Sequence, residues 1–363
     1  MARRLGGDKA LIVTDKVIVK TGLVERVSKS LEQAGLSVQV FDEVEPEPKL
    51  EVAEKAAEFS RKAGCNLVIG VGGGSVLDMA KVASIAPTNP GKMADYVGVG
   101  LIKQAGLPKI LIPTTAGTGS EVTNIAVVSL AAEEIKSGIV GPQLMADVAI
   151  VDPEATLTMP PRLTASTGID ALTHAVEALM SVNSNPLTDA LAYEAVKLVF
   201  RNLRKACYQG ENLEARYGMS LAALLAGLAF GSAGVCGGHA LAYAFAVKYN
   251  VPHGIACGLA LPYIMEYNLP VCEEKLARIA VLAGESVEWV STREAAGRAI
   301  AAVRRLLRDL EFPLTLKELG VPREAVPKLA EDLLKIQRLL ARQPRKITEK
   351  DAVKLMEKLW EGS

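Results

Sequence analysis

The sequence predicts an α/β N-terminal domain with a parallel sheet, followed by an all-helical C-terminal domain. In the first part of the chain, short β-branched runs alternate with amphipathic helical stretches, which is typical of a parallel sheet. From Thr164 to the end, the apolar spacing is helical almost throughout. Val151–Pro161, which contains three prolines, separates the two patterns. We therefore expect an α/β domain over residues 1–158 and an all-helical domain over residues 159–363.

Length and composition agree with two domains in one cytoplasmic chain. At 363 residues the chain is too long for a single ordinary core. The 41 basic residues balance 41 acidic ones, so no excess of positive charge favours a nucleic acid or a membrane surface. We find no signal-peptide apolar region and no uninterrupted apolar stretch of transmembrane length. Five scattered cysteines show no disulfide spacing, which indicates a reducing compartment.

The first domain is predicted element by element from its apolar runs. Strands are expected at Ala10–Thr14, Val38–Phe41, Leu67–Val71, Lys109–Ile112, Ile125–Ser129 and Val148–Val151. Helical patterns fill Gly22–Ala34 and Leu50–Ala63. Each is followed by a glycine, which is the usual residue after a helix C-terminus.

Two strand-to-helix loops indicate a nucleotide site. The strand Asn66–Val71 leads into Gly72–Lys81, whose glycines let a phosphate approach the backbone at a helix N-terminus. The dinucleotide fingerprint is incomplete because Ser75 replaces its last glycine, so a plain tight turn remains an alternative. A second loop, Thr114–Thr123, is rich in hydroxyls and glycines and follows another strand, where α/β sheets bind ligands. Asp15, at the end of the first strand, suits a ribose diol or a helix N-cap.

All three histidines of the chain lie in settings that suit a divalent metal. His174 follows Asp170 by four residues in a helical stretch, so the two side chains share one face. His239 and His253 bracket a second apolar segment. Imidazole together with one carboxylate favours Fe(II) or Zn(II). A buried histidine that merely satisfies its hydrogen bonds is the alternative for each position.

A structural zinc clasp is a competing interpretation. Cys236-x-x-His239 and His253-x-x-x-Cys257 offer four ligands at spacings that zinc sites use. This arrangement leaves the aspartate and histidine of the preceding helix without a role, and its apolar setting also suits small buried cysteines. A nucleotide-binding assembly or sensor protein without turnover is a further alternative.

Taken together, these blocks resemble the iron-containing (group III) alcohol dehydrogenase family, which has a dehydroquinate synthase-like architecture. The resemblance covers nearly the whole chain. It rests on the blocks Ala10–Asp15, Gly72–Asp78, Pro113–Thr123, Gly168–Glu177 and His239–Gly254. It implies reversible hydride transfer between NAD and a small primary or secondary alcohol. A homodimer is expected, and the partner molecules are an alcohol and its aldehyde or ketone.

The resemblance also implies the site residues. The metal, with Fe(II) expected before Zn(II), would be held by Asp170, His174, His239 and His253. The pyrophosphate end of the cofactor would be held by Gly73, Gly74, Ser75 and Asp78, the nicotinamide side by Thr114, Thr115 and Thr118, and the ribose would lie near Lys136. An acidic residue at the position of Asp15 goes with NAD rather than NADP, because a carboxylate repels a 2′-phosphate.

This chain departs from the family in two places. Many relatives have another histidine four residues after the first ligand of the last block, which is thought to relay protons. Tyr243 occupies that position here, so a phenol would have to take over the relay. Relatives also have an extra strand segment before the first strand, which this sequence lacks. Related enzymes of the same fold, such as glycerol dehydrogenase, hydroxyacid-oxoacid transhydrogenase or a maleylacetate reductase-like enzyme, are the alternative activities.

Overall fold

A computed structural model of the chain describes residues 1–130 and 135–362. The chain forms two compact units, Met1–Met159 and Pro160–Ser363. The first unit ends at Met159, one residue after the domain end that the sequence predicted at residue 158. The first unit is an α/β structure and the second is helical, as the sequence predicted.

The first unit contains eight described strands. They are β1 (Lys9–Val13), β2 (Ser37–Phe41), β3 (Leu67–Gly72), β4 (Gly98–Val99), β5 (Lys109–Pro113), β6 (Ile125–Leu130), β7 (Ile135–Val140) and β8 (Val148–Ala149). Five of them form a parallel sheet in the order β2-β1-β3-β5-β8. β3 is buried at every residue, as expected for a central strand with both faces covered.

The order of this sheet determines where a ligand can bind. The chain moves outward on one side from β1 to β2 and on the other side from β3 to β5, so the direction changes between β1 and β3. Open α/β sheets bind ligands beyond the carboxyl ends of the strands at such a switch point. Asp15 follows β1, and Gly73 follows β3. Both predicted cofactor segments therefore lie at the edge that this topology favours.

A second, smaller sheet differs from the prediction. β6 pairs antiparallel with β7, which pairs with β4, so Ile125–Leu130 does not belong to the parallel sheet. β6 is more buried at alternate residues over Ile125–Val128, which is typical of an antiparallel strand with one covered face. β4 and β7 were not predicted, and the last strand was predicted to reach Val151, whereas β8 ends at Ala149.

The described part of the first unit also contains four α-helices: α1 (Lys16–Lys20), α2 (Leu23–Gln33), α3 (Leu50–Ala63) and α4 (Gly74–Ile85). The predicted helices at 22–34 and 50–63 are confirmed as α2 and α3. α4 is buried at every position except Ser75, which explains its apolar and small residues. Its N-terminus starts directly after β3 at Gly73, so its first N–H groups lie at the ligand-binding edge of the sheet.

The second unit contains only helices among its described residues, 160–362. They are α5 (Pro161–Met180), α6 (Pro186–Tyr208), α7 (Leu213–Ala233), α8 (Gly237–Ala246), α9 (His253–Leu282), α10 (Thr292–Asp309), α11 (Val326–Lys335), α12 (Gln337–Leu340) and α13 (Glu349–Glu361). By length and composition alone, α7 and α9 are long and apolar enough to cross a membrane, whereas no such stretch was expected from the sequence. Both are largely buried within this unit, and core helices of soluble proteins pass the same test.

Candidate metal centre and cofactor loops

Helix α5 carries three acidic or imidazole side chains toward one place. Asp170 and His174 are one turn apart, and Glu177 follows within the next turn. All three are buried, with Asp170 only 3% and His174 6% exposed. Buried carboxylates and imidazoles need a partner that offsets their desolvation. This part of the helical unit therefore contains buried ionisable groups that need a compensating partner.

The N-termini of α8 and α9 bring the other two histidines to the same point. Nε2 of His239 lies 3.9 Å from Oδ1 of Asp170, and Nε2 of His253 lies 3.6 Å from the same oxygen. Nδ1 of His174 lies 3.9 Å from Oδ2 of Asp170. The structure thus brings together all four side chains that the resemblance implied as metal ligands.

The histidine rings are packed against one another and one of them is partly open. The ring of His174 stacks on Phe230 at 4.2 Å and on His239 at 4.8 Å between centroids. The His239 and His253 rings are 5.5 Å apart. The side chain of His253 is 24% exposed, whereas that of His239 is 2% exposed. Solvent therefore reaches the group on the His253 side.

Glu177 orients His239. This carboxylate is fully buried and accepts hydrogen bonds from the backbone N–H groups of Cys236 (3.0 Å), Gly238 (2.7 Å) and His239 (3.1 Å), and from Nδ1–H of the His239 ring. Burial alone would raise the pKa of Glu177, but the His239 ring and these donors hold it below its usual value. A Cβ atom at Gly238 would lie 3.0–3.1 Å from the Glu177 carboxylate, which is closer than most such contacts, so glycine suits this close approach of the helix.

The Glu177 bond leaves the other nitrogen of His239 directed at Asp170. Nε2 of His239 is buried and makes no hydrogen bond among the described residues. Burial alone would lower the pKa of His239, but Cys257 and Glu177 raise it well above its usual value. These neighbours therefore favour a positive charge on the ring. A divalent cation bound at Nε2 would supply that charge in place of a proton, so the side chains fit a metal.

One cysteine joins this group and the other does not. Sγ of Cys257 lies 3.6 Å from Nε2 of His253 and shares a cluster of donor atoms with Asp170 and His239. Sγ of Cys236 instead lies 4.0 Å from the backbone oxygen of Glu177, and Cys236 is not part of the donor cluster found among the described residues. The zinc clasp interpretation is therefore wrong about Cys236, which lies outside the donor cluster. All five cysteines are free thiols.

Tyr243 lies beside two of the histidine rings. Its ring centroid is 6.2 Å from that of His239, in an edge-to-face arrangement, and 5.6 Å from that of His253. It is half-buried, between the buried histidine and the more exposed one. This position is compatible with the proton relay that the sequence suggested.

In the first unit, Asp15 caps helix α1. Its Oδ1 accepts hydrogen bonds from the N–H groups of Val17 (2.8 Å) and Ile18 (2.9 Å). The N-cap interpretation is therefore correct. Both bonds use Oδ1, so Oδ2 is the atom of this carboxylate that a ribose diol would contact.

The two glycine-rich loops meet at the N-terminus of α4. A Cβ atom at Gly74 would lie 2.5–2.9 Å from Thr118, and one at Gly73 would lie 3.3 Å from Thr115. Oγ1 of Thr114 is buried and has no hydrogen-bond partner among the described residues. An unsatisfied hydroxyl close to the first N–H groups of a helix is what a polar cofactor would complete. This region therefore fits a dinucleotide.

The remaining predicted cofactor residues have structural partners. Oδ1 of Asp78 accepts a 2.6 Å bond from Ser120, and its Oδ2 accepts a 2.9 Å bond from the N–H of Val127. Oγ of Ser75 accepts a 3.1 Å bond from the N–H of Glu47. Both side chains therefore hold neighbouring segments against α4.

Two lysines are also paired at this edge. Lys136, the predicted ribose neighbour, forms a 3.0 Å ion pair with Glu47. Lys81 is fully buried and donates to Ser120 (2.7 Å), Thr123 (3.2 Å), the backbone oxygen of Ile125 (2.8 Å) and Asp78 (3.4 Å). Burial lowers the pKa of Lys81, while Asp78 and Glu121 raise it in part. Lys81 thus ties the hydroxyl-rich loop to α4.

Glu177 and Lys81 were not predicted as functional residues. Glu177 ends the block Gly168–Glu177 and lies three residues after His174, so helical spacing already placed it near the histidines. Lys81 follows Asp78 by three residues on an otherwise apolar helix, which was the signal for a buried ion pair.

Comparisons with known families match both units. The family model described as "Iron-containing alcohol dehydrogenase" matches residues 1–153. The model described as "Fe-containing alcohol dehydrogenase family, C-terminal" matches residues 164–360. Together they cover nearly the whole chain.

Individual relatives are similar over almost their full lengths. Long-chain-alcohol dehydrogenase 1 of Geobacillus thermodenitrificans is 46% identical over 99% of this chain and 92% of its own. The 1,3-propanediol dehydrogenase of Citrobacter freundii is 42% identical over 97% and 91%, respectively. A crystal structure of sulfoacetaldehyde reductase from Bifidobacterium kashiwanohense in complex with NAD+ superposes with a TM-score of 0.88 at 32% identity, over 100% of this chain and 93% of that one.

Proposed function

Because the chain belongs to the iron-containing alcohol dehydrogenase family, we propose that it interconverts small primary or secondary alcohols and their carbonyl compounds, using NAD(H) and one divalent metal ion. The chain is an oxidoreductase that acts on CH–OH groups, as its named relatives are. The single observation that carries the metal proposal is the convergence of three rings on Asp170.

We propose that Asp170, His174, His239 and His253 hold the metal. The family name specifies iron, and the donors are only nitrogen and oxygen, which suit Fe(II) and, in the second place, Zn(II). The buried, bare Nε2 of His239 supports this assignment, because an uncompensated buried nitrogen costs free energy that a metal would recover. Glu177 is not one of the proposed ligands; it fixes the ring orientation of His239, which is.

The cofactor is proposed to be NAD rather than NADP. Gly73 and Gly74 would accept the pyrophosphate at the start of α4, close to the loop threonines Thr115 and Thr118. Thr114 would direct its unsatisfied hydroxyl to the nicotinamide side. Ser75, Asp78 and Lys136 were also implied as cofactor contacts; their partners in the structure support a role in holding the loops.

When bound, NAD carries the hydride and the metal polarises the substrate oxygen as a Lewis acid. The chain itself supplies orientation and proton transfer. Glu177 binds Nδ1 of His239 and so turns Nε2 toward Asp170. Tyr243 is proposed to pass a proton between the substrate oxygen and water, because its ring contacts the more exposed His253.

The names of two relatives support a choice of first substrates. Long-chain alcohols and 1,3-propanediol are named for two of them. We therefore propose a primary alcohol, or a diol with a primary hydroxyl, as the first substrates to test. We also propose that the chain is a cytoplasmic homodimer, as is expected for a chain of this composition and family.

NADH oxidation against a panel of short, long and hydroxylated aldehydes, with and without prior chelation, tests the proposal. We expect activity that chelation removes and that Fe(II) or Zn(II) restores. Asp170→Asn should lose both metal and activity, because it removes the carboxylate shared by the histidines. Asp309→Asn, which changes an aspartate paired with Arg204 near the surface, should keep both. Activity that survives complete metal removal would refute the metal-dependent mechanism.

Cofactor preference is tested at Asp15 with a variant that preserves the helix cap. Asp15→Asn keeps an N-cap acceptor for Val17 and Ile18 but removes the charge. Loss of a charge–phosphate repulsion of about 1–3 kcal/mol should shift the ratio of kcat/KM for NADP(H) over NAD(H) by roughly 5- to 150-fold. An unchanged ratio would show that the 2′ position is recognised elsewhere.

A further inference from the structure

The start of helix α8 is held by side chains from two other segments of the helical unit. Its first four N–H groups are those of residues 236–239, and such groups have no partner within their own helix. Three of them donate to Glu177 of α5. The fourth, that of Gly237, donates to Oε1 of Gln343 at 3.0 Å. The whole start of α8 is therefore capped from outside the helix.

Gln343 belongs to a buried pair of amides. It lies between α12 and α13 and is buried, and Asn268 on α9 is completely buried. Nε2 of Gln343 donates to Oδ1 of Asn268, and Nδ2 of Asn268 donates to Oε1 of Gln343 at 3.4 Å. Nδ2 of Asn268 also lies 3.7 Å from the sulfur of Met180, at the end of α5. Each amide therefore fixes the orientation of the other, which keeps Oε1 of Gln343 directed at Gly237.

Two adjacent glycines let both capping groups approach the backbone. A Cβ atom at Gly237 would lie 2.7 Å from Oε1 of Gln343, and one at Gly238 would lie 3.0–3.1 Å from the Glu177 carboxylate. A contact of 2.7 Å is too short for a real Cβ atom, so a side chain at Gly237 would push α8 away from the amide. The backbone that leads into His239 is thus in direct contact with Gln343.

These contacts join the three helices that carry the proposed metal ligands. Glu177 connects α8 to α5, which carries two of the ligands. The amide pair connects α8 to α9, which begins with His253. Metal sites need their ligands held to within about 0.5 Å. A shift at the start of α8 would move Nε2 of His239 relative to Oδ1 of Asp170, which lies 3.9 Å away.

We propose that Gln343 and Asn268 are positioning residues for the metal centre: their amide pair fixes the start of α8 and thereby the place of His239 among the ligands. The inference rests on the proposed metal centre. Without Gln343, the N–H of Gly237 is buried with no acceptor, and α8 gains by moving toward another one. Partners of metal ligands contribute about 10- to 100-fold to metal affinity, and we expect the lower end here because the amides act through the backbone.

Zinc affinity and stability are measured on the full chain after its metal has been removed by chelation. Zinc affinity is obtained by competition with a chromophoric chelator, and stability by urea unfolding. Gln343→Met removes the acceptor of Gly237 and should bind Zn(II) about 10-fold more weakly than the parent, with a lower urea midpoint. Asn268→Leu should have the same two effects, because Gln343 loses the amide that orients it.

Asn202→Leu is the matched control. Asn202 is also a buried amide on a helix of this unit, but its side chain donates to the backbone oxygen of Leu198 in the same helix at 2.8 Å. Its replacement should lower the urea midpoint and leave the zinc affinity unchanged. The control therefore shows how much of any loss in affinity comes from lower stability alone.

The double variant Gln343→Met/Asn268→Leu separates positioning from a purely structural role. Replacing both partners of a buried hydrogen bond by apolar groups of similar shape can leave stability almost unchanged. We expect the double variant to regain most of the stability that the single variants lose. Its zinc binding should stay weak, because the N–H of Gly237 still has no acceptor. The visible d–d bands of its Co(II) form should also differ from those of the parent, because His239 has moved.

Recovery of both stability and zinc affinity in the double variant would overturn the proposal. Folded single variants that bind zinc as tightly as the parent would also overturn it, while the proposed metal centre would stand. Where the single variants do not fold, the double variant is compared with the parent directly, and equal zinc affinities would again refute the positioning role. If the parent chain binds neither Zn(II) nor Co(II), both this inference and the proposed metal centre are wrong.

Discussion

Replacing Glu177 by glutamine should weaken metal binding without touching a metal ligand. The carboxylate accepts four hydrogen bonds, two through each oxygen. A glutamine retains one oxygen, so about two of these bonds are lost, each worth about 1.5–3 kcal/mol for a charged acceptor. We therefore expect a destabilisation of about 3–6 kcal/mol and a zinc affinity about 10- to 100-fold lower.

The assay separates the loss of ring orientation from a general loss of stability. The chain has only three histidines, so nitrogen-15 NMR of the imidazoles resolves His239 individually. The parent should show a protonated Nδ1 and a Zn(II)-bound Nε2, whereas Glu177→Gln should show a mixture of tautomers. Zinc affinity is measured by chelator competition, and unfolding by urea. Glu194→Gln, an exposed change on α6, is the control and should alter neither quantity.

The effect of Glu177 on stability should also depend on pH. The pKa of this group is lowered from 4.5 in the folded chain. Its contribution is therefore fully present above the unfolded pKa and is lost as the pH falls through the lower, folded pKa. The stability difference between parent and variant should thus shrink on acidification below about pH 4.5. A folded Glu177→Gln chain that binds zinc as tightly as the parent, with an unchanged His239 tautomer, would refute the reasoning.

Three further changes test other parts of the molecule. Tyr243→Phe removes only a hydroxyl and should lower kcat by roughly 10²-fold with metal content unchanged; activity within a few-fold of the parent would leave bulk water as the proton source, and Tyr249→Phe is the control. Gly74→Ala places a methyl 2.5–2.9 Å from Thr118. We expect a loss of about 1–3 kcal/mol in stability, measured by urea unfolding, and a higher KM for NAD(H), measured by steady-state kinetics. An effect no larger than that of Gly73→Ala would contradict this. Glu121→Gln removes a buried carboxyl whose pKa is raised by burial. A group with a raised pKa costs the folded chain stability as the pH rises from its unfolded to its folded pKa, so the stability of the variant relative to the parent, measured by urea unfolding, should be greater at pH 8 than at pH 5. An equal stability difference at both pH values would be inconsistent with this.

The parallel sheet could be predicted because its strands have a strong local signal. β1 and β3 are continuous apolar runs that end in polar or glycine residues, as buried parallel strands do. Ile125–Leu130 is also apolar, so it was read as another member of the same sheet. Its place in a different sheet depends on antiparallel pairing with β7, the next strand along the chain, which was not predicted as a strand.

The donor side chains could be predicted from spacing, but their second contacts could not. Helical periodicity places Asp170 and His174 on one face of α5. Which nitrogen of His239 faces the group depends on Glu177, and Glu177 reaches that ring because α8 starts against α5 at Gly238. This approach is a tertiary contact between segments about sixty residues apart, and no local pattern specifies it.

The two cysteines show why spacing alone misassigned one ligand. Cys236 precedes α8 as its N-cap residue, in a non-helical conformation, so its side chain does not follow the face that carries His239. Cys257 lies inside α9, where a separation of four residues keeps it on the same face as His253. Each cysteine lies three or four residues from a histidine in the pattern that suggests a clasp, but only the pair that lies wholly inside one helix has a fixed geometry. Helix boundaries therefore decide which thiol lies among the donor atoms of Asp170 and the histidines, and a cysteine at a helix start should be discounted as a ligand until its backbone conformation is known.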